Sequence, residues 1–328
     1  MNRDDRVDAL KGVLITLVVF GHCCLYGMPM DGVKWTIANW VYLFHMPFFV
    51  FLSGYFSHTS SKSYWKGILA IVESYIVFQL LKGLLQGYSL VEILTVPAPM
   101  MWYLFALIVW RCLYYVMGKL PHNRLLNWTV LIMLFGVGLV VGFCPTIGKI
   151  CALSRIIVFA PFFWLGTMAQ ETDFIGLCKR MPKWIAGLLL VTTVGLIAYL
   201  TPQNWLNVRE TVRGVSCYDA DNQCIGLVSR AVLYVLAVVL SISVSSLITP
   251  SKLLCQIGKD SLKYYLFHGI ALSVMVFLKL PWNWYFAIVY GFLLMVLFYF
   301  FNKTKLSDFA IRPITYTIDY IKSRKTKQ

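Results

Sequence analysis

Apolar runs long enough to cross a bilayer recur along this 328-residue chain and leave room for few other folds. A helix needs about 20 predominantly apolar residues to span the hydrocarbon core, and only helices and closed barrels satisfy their backbone there. Read at about 17 to 25 residues each, about ten runs stand out, near 10–28, 36–56, 65–87, 98–117, 126–144, 153–169, 183–201, 225–249, 261–280 and 284–302. The expected fold is all-α, a polytopic transmembrane helical bundle of about ten spans. Hydrophobic residues make up 59% of the chain and charged residues 13%. That is about half the charge density of a soluble domain, and it excludes a soluble globule.

An even number of spans puts both termini on one side. Lys and Arg number about 20 on that side and about 5 on the other, which makes both termini cytoplasmic by the positive-inside rule. The same distribution accounts for the net charge of +15 without nucleic acid as a partner. Membrane lipids are the expected surroundings, in the inner (cytoplasmic) membrane of the cell. The first run has no small-residue cleavage site after a short apolar core, so it reads as a retained span and not as a secretory signal. Residues 303–328 form a basic tail with Phe309, Ile314, Tyr316, Ile318 and Tyr320 interleaved. Such a tail suits an interfacial helix on anionic lipid, here interrupted by Pro313. The expected division is a transmembrane domain over 1–302 and a cytoplasmic tail over 303–328.

Ionisable groups inside spans are costly and mark function. The segment RVDALKGVLITLVVFGH (6–22) links Arg6 and Lys11 at the surface to His22, about 16 Å beyond Lys11 on the same helix face. A surface cation and a deep imidazole on one stripe suit a ligand with an anionic head and a reactive tail. His45 is expected near the bilayer centre beside a kink at Pro47, which leaves the Leu43 carbonyl without its helical donor. Glu73 and His268 are expected about 10 Å in from the cytoplasmic ends of their spans. His22, His45, Glu73 and His268 therefore cluster in depth and form the candidate catalytic set. The plainer reading of Glu73 is an interhelical hydrogen bond. Lys82, Arg111, Arg155 and Arg230 also fall within runs. Arg6, Lys11, Arg111 and Lys263 reach the cytoplasmic surface by snorkelling, while Arg155 and Arg230 start their spans at the outer surface. Interface anchoring is the plainer reading of each cation.

The histidines lie on three separate spans with no His/Glu pair at helical spacing, so no metal is expected. Phosphate-loop, nucleophile-elbow and dinucleotide fingerprints are absent. Cys23, Cys24, Cys112, Cys178 and Cys255 read as small apolar residues or reduced thiols. Cys144 with Cys151, and Cys217 with Cys224, flank outer loops at equal spacing and are candidates for disulfides. Trp35, Trp40, Trp205, Trp282 and Trp284 suit either an interfacial belt or stacking on sugar rings.

The opening segment carries a basic-x10-His pattern as Lys11 and His22. FHMPFFVFLSGYF (44–56), WYLFALIVWR (102–111), RIIVFAPFFWLG (155–166) and IGKDSLKYYLFH (257–268) follow in order. Together these segments resemble the acyltransferase-3 family of integral-membrane O-acyltransferases, and within it the fucose 4-O-acetylase-like branch. The resemblance covers nearly the whole chain. It implies transfer of an acetyl group from cytoplasmic acetyl-CoA to a sugar hydroxyl of an extracytoplasmic or lipid-linked glycan. Arg6, Lys11 and Arg111 would hold the donor phosphates, with Ser53, Tyr55, Ser261 and Lys263 in the same donor site. Trp102, Arg155 and Arg230 would serve the acceptor. His22 would be the general base, with His45 or His268 orienting it or donating to the oxyanion; an acyl-enzyme route stays open. The competing reading is a proton-coupled transporter or flippase of a glycan or small molecule. The lack of symmetry between the two halves of the chain weighs against it.

Overall fold

The structure, a computed structural model, describes residues 5–25, 32–57, 61–119, 123–147, 150–200, 211, 214, 217–279 and 283–325. Among them every regular element is helical. The α-helices are α1 (Asp5–Leu25), α2 (Gly32–Tyr55), α3 (Ser61–Leu85), α4 (Leu90–Thr95), α5 (Trp102–Met117), α6 (Arg124–Val140), α7 (Leu153–Met168) and α8 (Phe174–Cys178). After them come α9 (Lys183–Leu200), α10 (Gln223–Leu247), α11 (Lys252–Lys259), α12 (Ser261–Phe277), α13 (Trp284–Phe301), α14 (Lys305–Ile311) and α15 (Pro313–Lys325).

Each expected apolar run coincides with a helix, yet among the described residues only six helices (α1, α2, α3, α6, α9 and α10) are by themselves long and apolar enough to cross a membrane. A seventh results if α13 and α14, bent by 103°, are one span. Helices α5, α7 and α12 are apolar but only 16, 16 and 17 residues long. That is roughly 24 to 26 Å, short of a hydrocarbon core of about 30 Å. The reason is plain before α5, where the run from 98 begins as a loop. Gln79 of α3 donates to the carbonyls of Ile93 and Val96 at 2.8 and 2.9 Å and accepts from the Ala98 amide at 2.9 Å. Pro97 and Pro99 lack amide donors, and Met100 adopts a left-handed φ of 73°. This segment is strapped to α3 instead of lengthening α5.

Among the described residues six helices close a ring, each packed on the next: α1, α2, α7, α5, α3, α12 and back to α1. The Thr36–Tyr55 stretch of α2 is 78% buried, whereas α9 is 17% buried, so α2 is central and α9 peripheral. Helix α6 packs outside α7, α10 outside α2, α9 against α2 and α10, and α13 against α1 and α12. Their outward side chains, such as Ile132, Val191 and Phe292, are exposed and suit lipid.

Between membrane helices there is little hydrophobic drive, so close backbone contact does the packing. A Cβ on Gly54 would lie 2.0 Å from the Phe163 carbonyl oxygen, and one on Gly166 2.0 Å from that of Phe51, which locks α2 to α7. Gly12 and Gly258 lock α1 to α11 in the same way, each leaving no room for a Cβ against the other helix's backbone.

The tail folds back on the bundle. Ser74 donates to the Ile311 carbonyl at 2.8 Å, and the Glu73 carboxylate accepts the amides of Ile314 and Thr315. Pro313 interrupts the tail helix as expected: α14 ends at Ile311, Arg312 is non-helical, and Pro313 opens α15, whose first turn needs no amide from that position. The candidate disulfides are not formed: all nine cysteines are free. Cys151, in a left-handed turn, directs its sulfur to the Thr95 carbonyl at 3.5 Å.

Gly166→Val should destabilise the folded protein by about 1–3 kcal/mol through overpacking against α2. Gly136→Ala, where a Cβ meets nothing within 4 Å, should be neutral or stabilising. Unfolding in detergent, followed by circular dichroism against denaturant, compares the two.

Candidate active site

Roughly 15 Å of helix beyond the Gly12 and Gly258 contacts, α1 and α12 bring two imidazoles together. His22 Nδ1 lies 3.0 Å from His268 Nε2, with the ring planes 2° apart. His268 is fully buried, and its Nδ1 lies 2.9 Å from the Tyr264 carbonyl oxygen. A carbonyl only accepts, so Nδ1 of His268 carries the proton and Nε2 of the neutral ring is a lone pair. That lone pair accepts the Nδ1–H of His22, which leaves the lone pair of His22 on its own Nε2. The arrangement is a base held by an orienting partner, which is in turn held by the backbone.

His45 stands apart from this pair. It is buried, and its Nδ1 lies 2.7 Å from the Val41 carbonyl, one turn back in α2. The same argument puts its proton on Nδ1, so its Nε2 accepts and does not donate. Tyr42 separates the two sites, its ring centroid 5.9 Å from that of His22 and 4.8 Å from that of His45. Of the two expected orienting partners, His268 is the one in contact with His22.

The remaining ring helices supply an aromatic wall. Tyr265 packs 5.8 Å from His268 and 5.4 Å from Tyr103, centroid to centroid, and the Tyr103 hydroxyl lies 2.6 Å from Ser53 Oγ. Beside Tyr103, Trp102 packs on Phe159, and the Arg155 guanidinium sits 5.1 Å over the Trp102 ring. Helix α3 contributes Lys82, buried, with Nζ donating to the Gly269 carbonyl at 3.0 Å. Sequence reading places Lys82 in a span and gives it no role.

The cations expected at the cytoplasmic surface take several positions. Lys11 Nζ lies 4.0 Å over the Phe56 ring at the end of α2. Arg6 pairs with Asp173 at 3.8 Å. Near Arg6, the Lys179 ammonium is held below the ordinary lysine range by partial burial and then by the charges of Lys183 and Arg6. Lys179 and Lys183 join this basic cluster only through the fold. Arg111 has a buried Nε with no hydrogen-bond partner, and its guanidinium lies 3.3 Å from where a Cβ on Gly67 would be. Tyr55 packs against Phe51, and Ser261 is the first residue of α12.

Three expected site residues are engaged elsewhere. Glu73 caps α15 and does not join the histidines. Lys263 donates to the Asn302 carbonyl at 2.6 Å and Ser307 at 2.9 Å and pairs with Asp308 at 2.8 Å, so it ties α12 to the tail. Arg230, expected at the outer surface, is 2% exposed. It donates to the Gly138 carbonyl at 3.0 Å, lies 4.6 Å over the Tyr218 ring, and borders a cavity of about 20 Å³ with Leu43, Pro47 and Phe159. Trp40 donates to Thr193 at 3.1 Å, joining α2 to α9. Trp205 and Trp282, and the side chains of Trp35 and Trp284, lie outside the described residues.

A family model described as an acyltransferase domain matches residues 4–303. The nodulation protein NolL of Mesorhizobium japonicum is 38% identical over 72 residues, 20% of this chain and 19% of that protein. The chain thus matches about a fifth of the length of that curated relative. No solved structure matches the chain.

The hydrogen-bond geometry makes a direct spectroscopic prediction. Nitrogen-15 spectra of histidine-labelled protein at neutral pH should show His22, His45 and His268 as Nδ1–H tautomers, the minor form of free histidine. An Nε2–H signal for His268 would reverse the direction of the pair.

Proposed function

This chain belongs to the acyltransferase domain family, and on that premise we propose that it moves an acetyl group from cytoplasmic acetyl-CoA to a hydroxyl of a sugar in an extracytoplasmic or lipid-linked glycan. The observation that carries the proposal is the pairing of half-buried His22 with fully buried His268, which puts the remaining imidazole lone pair on His22 Nε2. A sugar hydroxyl is a poor nucleophile at neutral pH and needs a base as it attacks a thioester. His22 Nε2 takes the hydroxyl proton as the sugar oxygen bonds to the carbonyl carbon. The carbon–sulfur bond then breaks with its electron pair on sulfur, and His22 returns the proton to the departing thiolate. The products are the acetyl ester and the free thiol. His268 holds the ring in the required tautomer and shares the charge while His22 is protonated.

Acetyl-CoA is a substrate here, and its anionic head suits Lys11, Arg6 and the unpartnered Nε of Arg111 at the cytoplasmic side. Ser53 and Tyr55 at the end of α2, with Ser261 at the start of α12, complete the donor side. Trp102 under Arg155 offers a sugar-stacking surface for the acceptor. In this reading Glu73 and Lys263 hold the tail, and Arg230 ties α10 to α6 and its outer connection. Ten crossings, counting α5, α7 and α12 as short spans, put both termini and the 303–328 tail in the cytoplasm of an inner-membrane protein. The segment 44–56 supports the fucose 4-O-acetylase-like branch.

His22→Ala should lower acetyl transfer by about 10²- to 10⁴-fold at normal expression. Transfer is measured from radiolabelled acetyl-CoA into membrane glycans, and an unchanged rate would remove His22 from the mechanism. A transporter, the competing reading, has no reason to consume acetyl-CoA in that assay.

Lys11→Ala should raise KM for acetyl-CoA more than it lowers kcat, since its contact is with the donor head. Sidedness has its own check. An impermeant thiol reagent should label a single cysteine placed at Arg124 only after the membrane is opened, and one placed at Asn207 in intact cells. The reverse pattern would put Lys11 out of reach of the donor.

A further inference from the structure

Lys82 lies inside the apolar stretch Tyr64–Leu85 of α3 and is 1% exposed. A buried ammonium at membrane depth is costly, and ordinarily a carboxylate accompanies it. Among the described residues no carboxylate lies within ion-pair distance of Lys82. Its contacts are the Gly269 carbonyl at 3.0 Å and the Met100 sulfur at 4.0 Å. Both hold the ammonium and neither neutralises it, and the Gly269 carbonyl also accepts from the Ser273 hydroxyl at 3.0 Å.

The slot for the ammonium is nevertheless built. A Cβ on Gly269 would lie 3.3 Å from Lys82 Nζ and 3.4 Å from the Met100 sulfur, so glycine makes the room. Met100 reaches in from the segment that Gln79 straps to α3, with its backbone in the left-handed region. Gly269 directly follows His268, so three separate elements converge to fix one positive charge beside the imidazole pair.

We infer that Lys82 is a positioning residue of the His22–His268 pair: its ammonium, held at Gly269, adds to burial in disfavouring the imidazolium, so that His22 Nε2 stays available as the base. This rests on the base role proposed for His22. Other titratable or charged groups also face the pair or its neighbours. Cys23 lies on α1, Tyr42 and His45 on α2, and Tyr103 on α5. Arg155 on α7 acts on Tyr265, and Tyr264 and Tyr265 lie on α12 itself. Tyr290 on α13 donates to the Ala271 carbonyl at 3.2 Å. At the cytoplasmic end, Asp260 and Asp308 pair with Lys263, and Lys259 ends α11. Of these groups Lys82 is the cation bonded next to His268.

The sign follows directly. A nearby cation disfavours the imidazolium, so removing it lets the rings protonate at higher pH. Transfer requires neutral His22, so the acid limb of its pH profile must rise with them.

The test uses full-length protein with Lys82→Met, Lys82→Gln and Lys82→Arg. Glutamine keeps a donor for the Gly269 carbonyl without the charge, and arginine keeps the charge. Two readouts are taken: the pH profile of acetyl transfer from radiolabelled acetyl-CoA in membranes, and imidazole titration by nitrogen-15 spectra of histidine-labelled protein in detergent. The neutral variants should move both to higher pH by about one unit, and Lys82→Arg should match the wild type. If methionine does not fold, the glutamine variant alone decides. Wild-type titration in a folded neutral variant would overturn the inference. His22→Ala in the same membranes separates the two readings. Retained transfer there would sink the base assignment. Lost transfer there, with unmoved titration in the neutral Lys82 variants, would sink only the role of Lys82.

Discussion

The hydrogen bond from His22 to His268 organises the interior because a buried imidazole needs a partner for each of its nitrogens. An imidazole facing lipid or a dry protein core must find partners among protein groups, or the unmade bond costs several kcal/mol. His268 meets that requirement through the Tyr264 carbonyl on one nitrogen and through His22 on the other. The chain of donors is thereby fixed in direction from backbone to His268 to His22. The remaining lone pair of the couple lies on His22 Nε2.

That bond depends in turn on the height at which two helices meet. Gly12 and Gly258 permit backbone contact between α1 and α11, and similar lengths of chain above that contact deliver the two rings to one level. Gly54 and Gly166 permit the same close contact between α2 and α7, the next pair round the ring. The shortness of α5, α7 and α12 belongs to the same design. Helices that stop early leave flanking turns and loops, and these bring Trp102, Arg155 and Met100 to where a full span would have put an apolar turn.

Cations follow a consistent logic across the molecule. Those near the start of α1 lie over aromatic rings or near acids, as Lys11 does with Phe56 and Arg6 with Asp173. Those within the bundle are held by carbonyls and rings, as Arg230 is by Gly138 and Tyr218 and Lys82 by Gly269. Carbonyl oxygens are the most abundant acceptors at membrane depth, and they can hold a cation without neutralising it. Positive charge is therefore available inside the bundle.

Much of this protein was legible from residue order alone. Apolar runs of bilayer length determine a helical membrane protein, because the backbone has no other partner in lipid. The motifs at 6–22 and 44–56 pointed to the acyltransferase family. What counting cannot supply is rotation and register between helices distant in sequence. Only the packed structure pairs His22 with His268 and not with His45, separated from it by the Tyr42 ring. Only packing sends Glu73 and Lys263 to the tail, buries Arg230 and sets Lys82 beside His268. The physical reason is that hydropathy constrains how deep a residue lies, whereas its partners depend on which faces meet. In this molecule those faces are chosen by close contacts at a few glycines and by hydrogen bonds that span hundreds of residues of chain.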